Sequence, residues 1–217
     1  MTTKTQEPVI TSIEDLPISE SKWITLNKIT YTDQTGKSRT WESATRKTRS
    51  AKAGVDAVAI GNILLPPPGS AHRTPASTLL VIQYRPPLDA YTVEWPAGLI
   101  DAGEDAEAAA VREFREETGY DVTRVLSVSP PQAADPGLTN ANMQLAMVEV
   151  QLPGGELEGV LPEQRLEDGE HITRVVVPLA ELYDRLIEFT KRERFVVAAK
   201  LLHFAQGMDF QRKQKYF

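Results

Sequence analysis

Hydrophobic and polar positions follow two periods along this chain, and the switches between them mark out its elements. Residues 23–31 and 38–48 alternate with a period of two around the turn Asp33-Gln34-Thr35-Gly36, which predicts a β-hairpin. Val55 to Leu65 and Thr78 to Tyr84 are runs rich in Val, Ile and Leu, which predict central strands separated by the Pro- and Ser-bearing loop PPPGSAHRTPAS. Ala106 to Thr118 reads as a helix. Its four alanines favour that state, Asp105 can cap its start, Glu107 lies near the positive end, and Gly119 supplies a left-handed stop. Strands are expected near Val122–Ser129, Met143–Val150 and Ile172–Val177. The Gly- and Glu-rich stretch Pro153 to Gly169 has to be a loop, and its length is a functional hint. From Leu179 to about Gln206 the apolar residues Leu182, Leu186, Phe189, Val196 and Val197 recur at helical spacing. Strands and helices mixed in this way predict an α/β (α+β) domain, a mixed sheet sandwiched between helices. No internal repeat is visible.

A chain of 217 residues, 41% of them hydrophobic, can bury one good core with material left for a small appendage. No apolar run reaches 18 residues, and the first thirty residues are polar and lack a signal-peptide core, so neither membrane insertion nor secretion is indicated. A cytoplasmic location is expected, with the nucleus also open to it. Zero cysteines exclude disulfides and thiolate metal sites, and His72, His171 and His203 are too scattered for a zinc site. The net charge of −6 argues against a nucleic-acid polymer as partner. A small anionic substrate fits better.

The chemistry concentrates in residues 98–120. Gly98 is followed after five residues by Glu104, and after seven more by Arg112-Glu113-Phe114-Arg115-Glu116-Glu117-Thr118-Gly119-Tyr120. Seven fixed positions at residue frequencies of about 5–7% would match a random window about once in 10^8, so coincidence is no competitor. On the expected helix Glu113 and Glu117 lie four residues apart on one face, with Glu116 flanking them. Three carboxylates thus converge where the helix macrodipole is already negative, each effect costing a few tenths to about 1 kcal/mol. A hard cation relieves the conflict, and oxygen ligands at this density suit Mg²⁺ or Mn²⁺. The competing reading, a solvated helix with Arg112 and Arg115 paired to neighbouring glutamates, is overturned by the fixed glycines and Glu104. Arg112 is expected to orient Glu116 or Glu104.

This pattern is the Nudix box, and the chain resembles the Nudix hydrolases. That family cleaves a nucleoside diphosphate linked to another group, using a divalent cation. Outside the box the resemblance narrows. Trp23-Ile24-Thr25-Leu26, Arg39-Thr40-Trp41-Glu42-Ser43-Ala44-Thr45-Arg46, Tyr84-Arg85-Pro86-Pro87 and Glu94-Trp95-Pro96-Ala97-Gly98-Leu99-Ile100-Asp101 are similar to the eukaryotic ADP-ribose pyrophosphatases, as is Pro136, sixteen positions beyond Tyr120. The similarity spans about residues 21–206. It implies the Nudix fold over 54–206, an N-terminal β segment at 21–53 used for dimerisation, a flexible leader at 1–20 and a tail at 207–217.

The resemblance also implies a reaction and roles. ADP-ribose would be cleaved to AMP and ribose 5-phosphate in a homodimer whose N-terminal segments cross between subunits. Trp23 and Trp41, from different subunits, would stack on adenine, the alternative being ordinary hairpin or interface aromatics; Glu42 would read the base edge, or else is an exposed strand carboxylate. Arg46 and Arg85 match diphosphate-binding positions, with Arg85 the firmer because Pro86-Pro87 stiffens its surroundings. Asp135 would bond the terminal ribose and Leu99 would present backbone groups. Metal ligation falls to Glu113, Glu117 and the main-chain oxygen of Ala97, with Glu116 close enough to share. Glu170 matches the residue brought over the metals, as ligand and general base, against the alternative of a solvent-facing loop glutamate; Glu104 is a supporting ligand or an orienter, and His171 is a bystander. Trp95 is assigned to the core, and Phe114 and Tyr120 are expected to change packing rather than chemistry. Other substrates stay open, among them nucleotide sugars and oxidised nucleotides. A non-catalytic ADP-ribose sensor on this fold would show lost box glutamates, and none is lost.

Overall fold

The computed structural model of the chain describes residues 6–49, 54–67, 69, 75–154 and 159–214, so half of the expected loop from Pro66 to Ser77 lies outside the described residues. The strand Ser77–Arg85 (β4) shows how the core is divided. Its residues from Ser77 to Ile82 are all buried, and successive side chains point to opposite faces. Leu79 and Val81 join one apolar cluster with Val58, Ile60 and Phe114, while Leu80 and Ile82 join a second with Leu182, Leu186 and Leu201. A strand covered on both faces needs the continuous apolar run seen in the sequence.

Around it run Ala57–Leu65 (β3), Ala90–Glu94 (β5), Ala97–Leu99 (β6), Arg124–Val128 (β7), Gln132–Ala133 (β8), Asn142–Gln151 (β9), Thr173–Pro178 (β10) and Phe195–Val197 (β11). Along the sheet the order is β11-β5-β4-β3-β9-β7, with β10 beside β4, β6 beside β3 and β8 beside β9. The pairs β3–β9 and β5–β11 are parallel and the others antiparallel, so the sheet is mixed, as expected. Helix Ala106–Thr118 (α1) packs on the first cluster; Leu182–Phe189 (α2) and Ala199–Gln214 (α3) pack on the second.

Where β3 and β4 part, the site is made. β9 pairs with β3 from Ala57 to Leu65, so the opposite edge of β3 must serve two neighbours, β4 at Leu64 and β6 at Ala57 to Ala59. The buried Asn62 amide spans the gap: its Nδ2 donates to the Leu79 carbonyl at 2.9 Å and its Oδ1 accepts from the Leu79 N–H at 2.7 Å. These bonds satisfy ladder groups that the divergence would otherwise orphan. β6, released to run beside β3, carries Ala97, Gly98 and Leu99 towards α1.

One expected element is corrected. Leu179 to Gln206 is not a single helix: a 3₁₀ turn at Leu179–Glu181 leads into α2, Arg194 takes a left-handed φ of 58°, and α3 starts only at Ala199 and runs on to Gln214. Val196 and Val197, read at helical spacing, lie instead in β11 opposite Thr92 and Val93. A short run of β-branched residues fits either period, and the open edge of β5 decides it.

The hairpin forms as predicted, from Ile24–Thr32 (β1) and Ser38–Arg46 (β2), in a sheet of its own. Its turn is built by Asp33, whose carboxylate accepts from the N–H groups of Thr35 (2.8 Å) and Lys37 (3.0 Å) and from Arg39 (2.8 Å). These bonds, the Thr35 hydroxyl first, hold Asp33 well below the usual carboxylate range. The hairpin meets the domain at the turn Asp135–Thr139, where the Ala44 N–H donates to the Leu138 carbonyl at 2.9 Å. Among the described residues of the leader, Glu7 accepts from the Tyr91 hydroxyl at 2.8 Å and the Pro8 carbonyl accepts from Arg194 at 3.1 Å. Among the described residues, no helix is long and apolar enough to cross a membrane.

Candidate active site

The site grows from both ends of α1. The Asp105 side chain caps the first turn by accepting from the Ala108 N–H at 2.8 Å, and Gly119, at φ 77°, ends the helix. With the ends fixed, the helix turns Ala109, Ala110 and Phe114 into the core and presents Glu113 and Glu117 to β6. Gly98 is required there: a Cβ at this position would lie 1.9 Å from the Glu113 carboxyl carbon. Glu117 is 4% exposed, and its Oε2 accepts from the Ala97 N–H at 3.3 Å.

Arg112 holds the acidic cluster in register. Its guanidinium forks onto Glu104 at 2.9 and 3.1 Å, reaches Glu113 at 2.9 Å and Glu116 at 3.2 Å, and donates to the Leu99 carbonyl at 3.1 Å. Both expected partners, Glu104 and Glu116, are therefore engaged, with Glu113 added. Such a planar donor set fixes three carboxylates at once. It holds Glu104 below the usual carboxylate range, whereas burial outweighs Arg112 at Glu113 and pushes that group up.

Glu117 is displaced further. Burial, then the neighbouring charge of Glu113, pushes its carboxyl up to about 8, against the pull of the Ala97 N–H; Glu170 adds to the rise and Arg85 opposes it. A buried and a half-buried carboxylate whose charged forms are disfavoured make an oxygen donor set that a divalent cation would stabilise. Among the described residues no three acidic or histidine side chains form a ready-made metal cage. The donor set suits an ion such as Mg²⁺, which keeps several waters and takes further oxygens from phosphates. The residues present fit such an ion.

The other sequence-predicted residues fall into two groups. Near the carboxylates, Arg85 at the end of β4 forks onto Glu94 at 2.9 and 3.3 Å, and Glu94 also accepts from the Thr92 hydroxyl. Glu170 is exposed, with its carboxylate folded back onto the Glu167 N–H at 3.0 Å, yet it acts electrostatically on both Glu113 and Glu117. At the hairpin, the Trp41 indole donates to the Gly137 carbonyl at 3.0 Å, next to exposed Asp135, and helps line a cavity of about 410 Å³ with Ile29, Pro131, Pro136 and Asn140. Glu42 and Arg46 are exposed on β2, Arg46 near enough to Asp56 to favour its charged form.

Trp23 and Trp41 are not brought together. Trp41 lies opposite Ile29 and Trp23 precedes β1 beside Lys47, six residues away along the strand, or about 20 Å at the usual rise. They are 67% and 50% exposed, Trp23 at the open end and Trp41 within the paired strands of a hairpin that also exposes Ile24, Leu26, Ile29 and Tyr31. Trp95, in contrast, is core: it is buried, donates to the Thr78 hydroxyl at 3.0 Å and packs edge-on against Phe204. Phe114 and Tyr120 likewise pack in the first cluster.

Sequence reasoning missed three sets of contacts. Glu94 steadies Arg85. Buried Asp56 takes a two-point bond from Arg49 at 2.6 and 2.8 Å and exchanges further bonds with Asn142, joining the hairpin's exit to β9. Arg174 and Gln164 cap the end of α1. None of these pairs has a local spacing that would reveal it.

The NUDIX domain family model matches residues 59–199, which span the box and the strands that carry it. The chain belongs to the Nudix hydrolase family. This Nudix protein is 42% identical over 190 residues to the ADP-ribose pyrophosphatase of Saccharomyces cerevisiae, covering 88% of this chain and 78% of the relative. It is 39% identical over 191 residues to the ADP-sugar pyrophosphatase of Mus musculus, covering 88% and 83%. Among solved structures, an ADP compounds hydrolase superposes with a TM-score of 0.55 over 99% of this chain and 100% of that one, at 20% identity, which speaks for the Nudix fold alone. Nudix enzymes as a family work with divalent metals.

Proposed function

We propose that this Nudix hydrolase cleaves ADP-ribose to AMP and ribose 5-phosphate, as a homodimer working with Mg²⁺ or, in its place, Mn²⁺. The observation that carries the chemistry is the convergence of Glu113 and Glu117 on Gly98 and Ala97, within electrostatic reach of both Arg85 and Glu170. The adenosine diphosphate part of the substrate is supported by the relatives named for ADP-ribose and ADP-sugar hydrolysis.

In this reading Glu113, Glu117 and the main-chain oxygen of Ala97 hold the metal, with Glu116 at its margin and Arg112 keeping the carboxylates apart and aligned. When bound, the metal neutralises the diphosphate and lowers the pKa of water. Arg85 and Arg46 clamp the diphosphate oxygens, Arg85 exchanging part of its bond with Glu94 for phosphate. Glu170 swings from the Glu167 N–H to take the proton from the attacking water, whose oxygen bonds to one phosphorus as the bridging P–O bond breaks. Asp135 and the backbone at Leu99 position the terminal ribose.

The adenine side needs a second chain. Two tryptophans about 20 Å apart cannot flank one base, but a partner's hairpin brings one of each together. Residues 21–53 then form the dimerisation segment, and 54–206 the hydrolase domain. Two strands alone are marginal in water, and the exposed apolar side chains of β1 and β2 are the surface that pairing would cover. A cytoplasmic site of action, extending to the nucleus, accompanies this reading.

Product analysis across ADP-ribose, ADP-glucose, diadenosine polyphosphates and 8-oxo-dGDP tests the assignment. ADP-ribose should show the highest kcat/KM and yield AMP and ribose 5-phosphate. A clear preference for any other of the four overturns it.

A further inference from the structure

The last four carbonyls of an α-helix have no partner within the helix, and where each one goes is a complete accounting question. In α1 the Arg115 carbonyl takes the Gly119 N–H at 2.8 Å. The other three are all met by one distant segment. Glu116 accepts from the Arg165 N–H at 2.8 Å, Glu117 from the Gln164 side-chain amide at 2.6 Å, and Thr118 from the Arg174 guanidinium. The same Arg174 nitrogen donates to the Pro162 carbonyl at 2.6 Å, and Gln164 also reaches the Ile172 carbonyl at 3.3 Å. Gly119 leaves room for this contact, since a Cβ there would lie 2.4 Å from the Glu163 carbonyl oxygen.

The segment is therefore pinned at both feet. Leu166 packs against the first core cluster and Ile172 is buried, while residues 167–171 between them are all exposed. Glu170 stands on that five-residue arch.

We propose that Arg174 is a positioning residue for hydrolysis: by tying Thr118 to Pro162, it locks the feet of the Glu170 arch to the end of the helix that carries Glu113 and Glu117. Only the arch itself then moves, so Glu170 travels a short, defined path to the carboxylates instead of drifting with a loose loop. A guanidinium suits the task, because it stays charged at the negative end of a helix and donates in fixed directions. The proposal rests on the reading of Glu170 as the base.

Arg174→Ala should lower kcat about 10-fold, the scale of a small displacement of a catalytic group, with KM for ADP-ribose changed less than about 2-fold. Arg174→Lys, which keeps a cation between the two carbonyls, should recover part of the loss. The loss should not add to that of Glu170→Gln, because both act on one group. Hydrogen exchange in the free protein should quicken at 162–172 in Arg174→Ala while β3 and β9 keep their protection. If Arg174→Ala fails to fold, Gln164→Ala replaces it, with the same directions and a smaller size. Unchanged exchange at 162–172, losses fully additive with Glu170→Gln, or a lowered Tm with unaltered kcat per active site would each overturn the proposal. Wild-type turnover in Glu170→Gln alone overturns the base assignment, and it is told apart from failure of the clamp because the exchange measurement needs no substrate.

Discussion

The α1 helix and the N-terminal hairpin are both read easily from the sequence, yet they differ in what their surroundings supply. Around α1 the chain meets every need: Asp105 caps one end, Arg165, Gln164 and Arg174 cap the other, Phe114 is fully buried, and Arg112 organises three glutamates. The hairpin is complete in its turn and register but leaves Trp23, Ile24, Leu26, Ile29, Tyr31 and Trp41 exposed. On the reading proposed above, the chemistry is built within one chain, whereas base recognition needs the apolar hairpin surface of a second.

The sharpest break of the helix side of that contrast is Glu117→Gln. Removing a charged oxygen donor should lower kcat at least about 10²-fold, and excess chelator should abolish turnover in the wild type. Turnover that survives chelation would remove the metal from the account. Next in size is Glu170→Gln, expected to reduce kcat by about 10²-fold while leaving ADP-ribose affinity nearly intact, since a base acts on the chemical step. Unchanged kcat across pH 6–9 would transfer the proton to a box glutamate or to Glu104.

The raised Glu117 carboxyl gives a smaller effect, on stability. In the folded, metal-free protein Glu117 holds its proton up to about pH 8, whereas the unfolded chain releases it near 4.5. The folded state thus binds more protons between those values, and stability falls as pH rises through them. The metal-free Tm should therefore drop from pH 5 to pH 8, less so in Glu117→Gln, and added Mg²⁺ should restore it. A metal-free Tm that rises over this range would contradict the electrostatic reading.

How much of this was legible depends on whether the deciding contacts are local. Helix α1 was read to the residue because its signals, Asp105 and Gly119, adjoin it. The hairpin was equally plain, since Asp33 bonds to residues two to six positions away. By contrast β6, β8 and β11 have two or three residues each and exist because a neighbouring edge accepts them, so no period announces them. Val196 and Val197 fitted a helical pattern and were claimed by β5. At the site, Glu113, Glu117 and Gly98 were legible through fixed spacing, whereas Glu94 under Arg85, Asp56 under Arg49 and Arg174 over Thr118 depend on folding: β5 meeting β4, and 162–174 meeting the end of α1. The spacing of Trp23 and Trp41 needed the observed register.

That spacing supports the test that bears most directly on the division between a one-chain catalytic centre and a two-chain base site. Each of Trp23→Ala and Trp41→Ala should weaken ADP-ribose binding by about 1–3 kcal/mol, the worth of a stacked base. When the two variants are mixed and allowed to exchange subunits, each mixed dimer holds one site without either tryptophan and one with both. Activity at limiting substrate should then recover to about half of wild type per mixed dimer, or about a quarter for an equimolar, randomly exchanged mixture. Demonstrated exchange without recovery, or a wild-type protein that sediments as a fully active monomer, would place both tryptophans' roles within one chain and contradict the account.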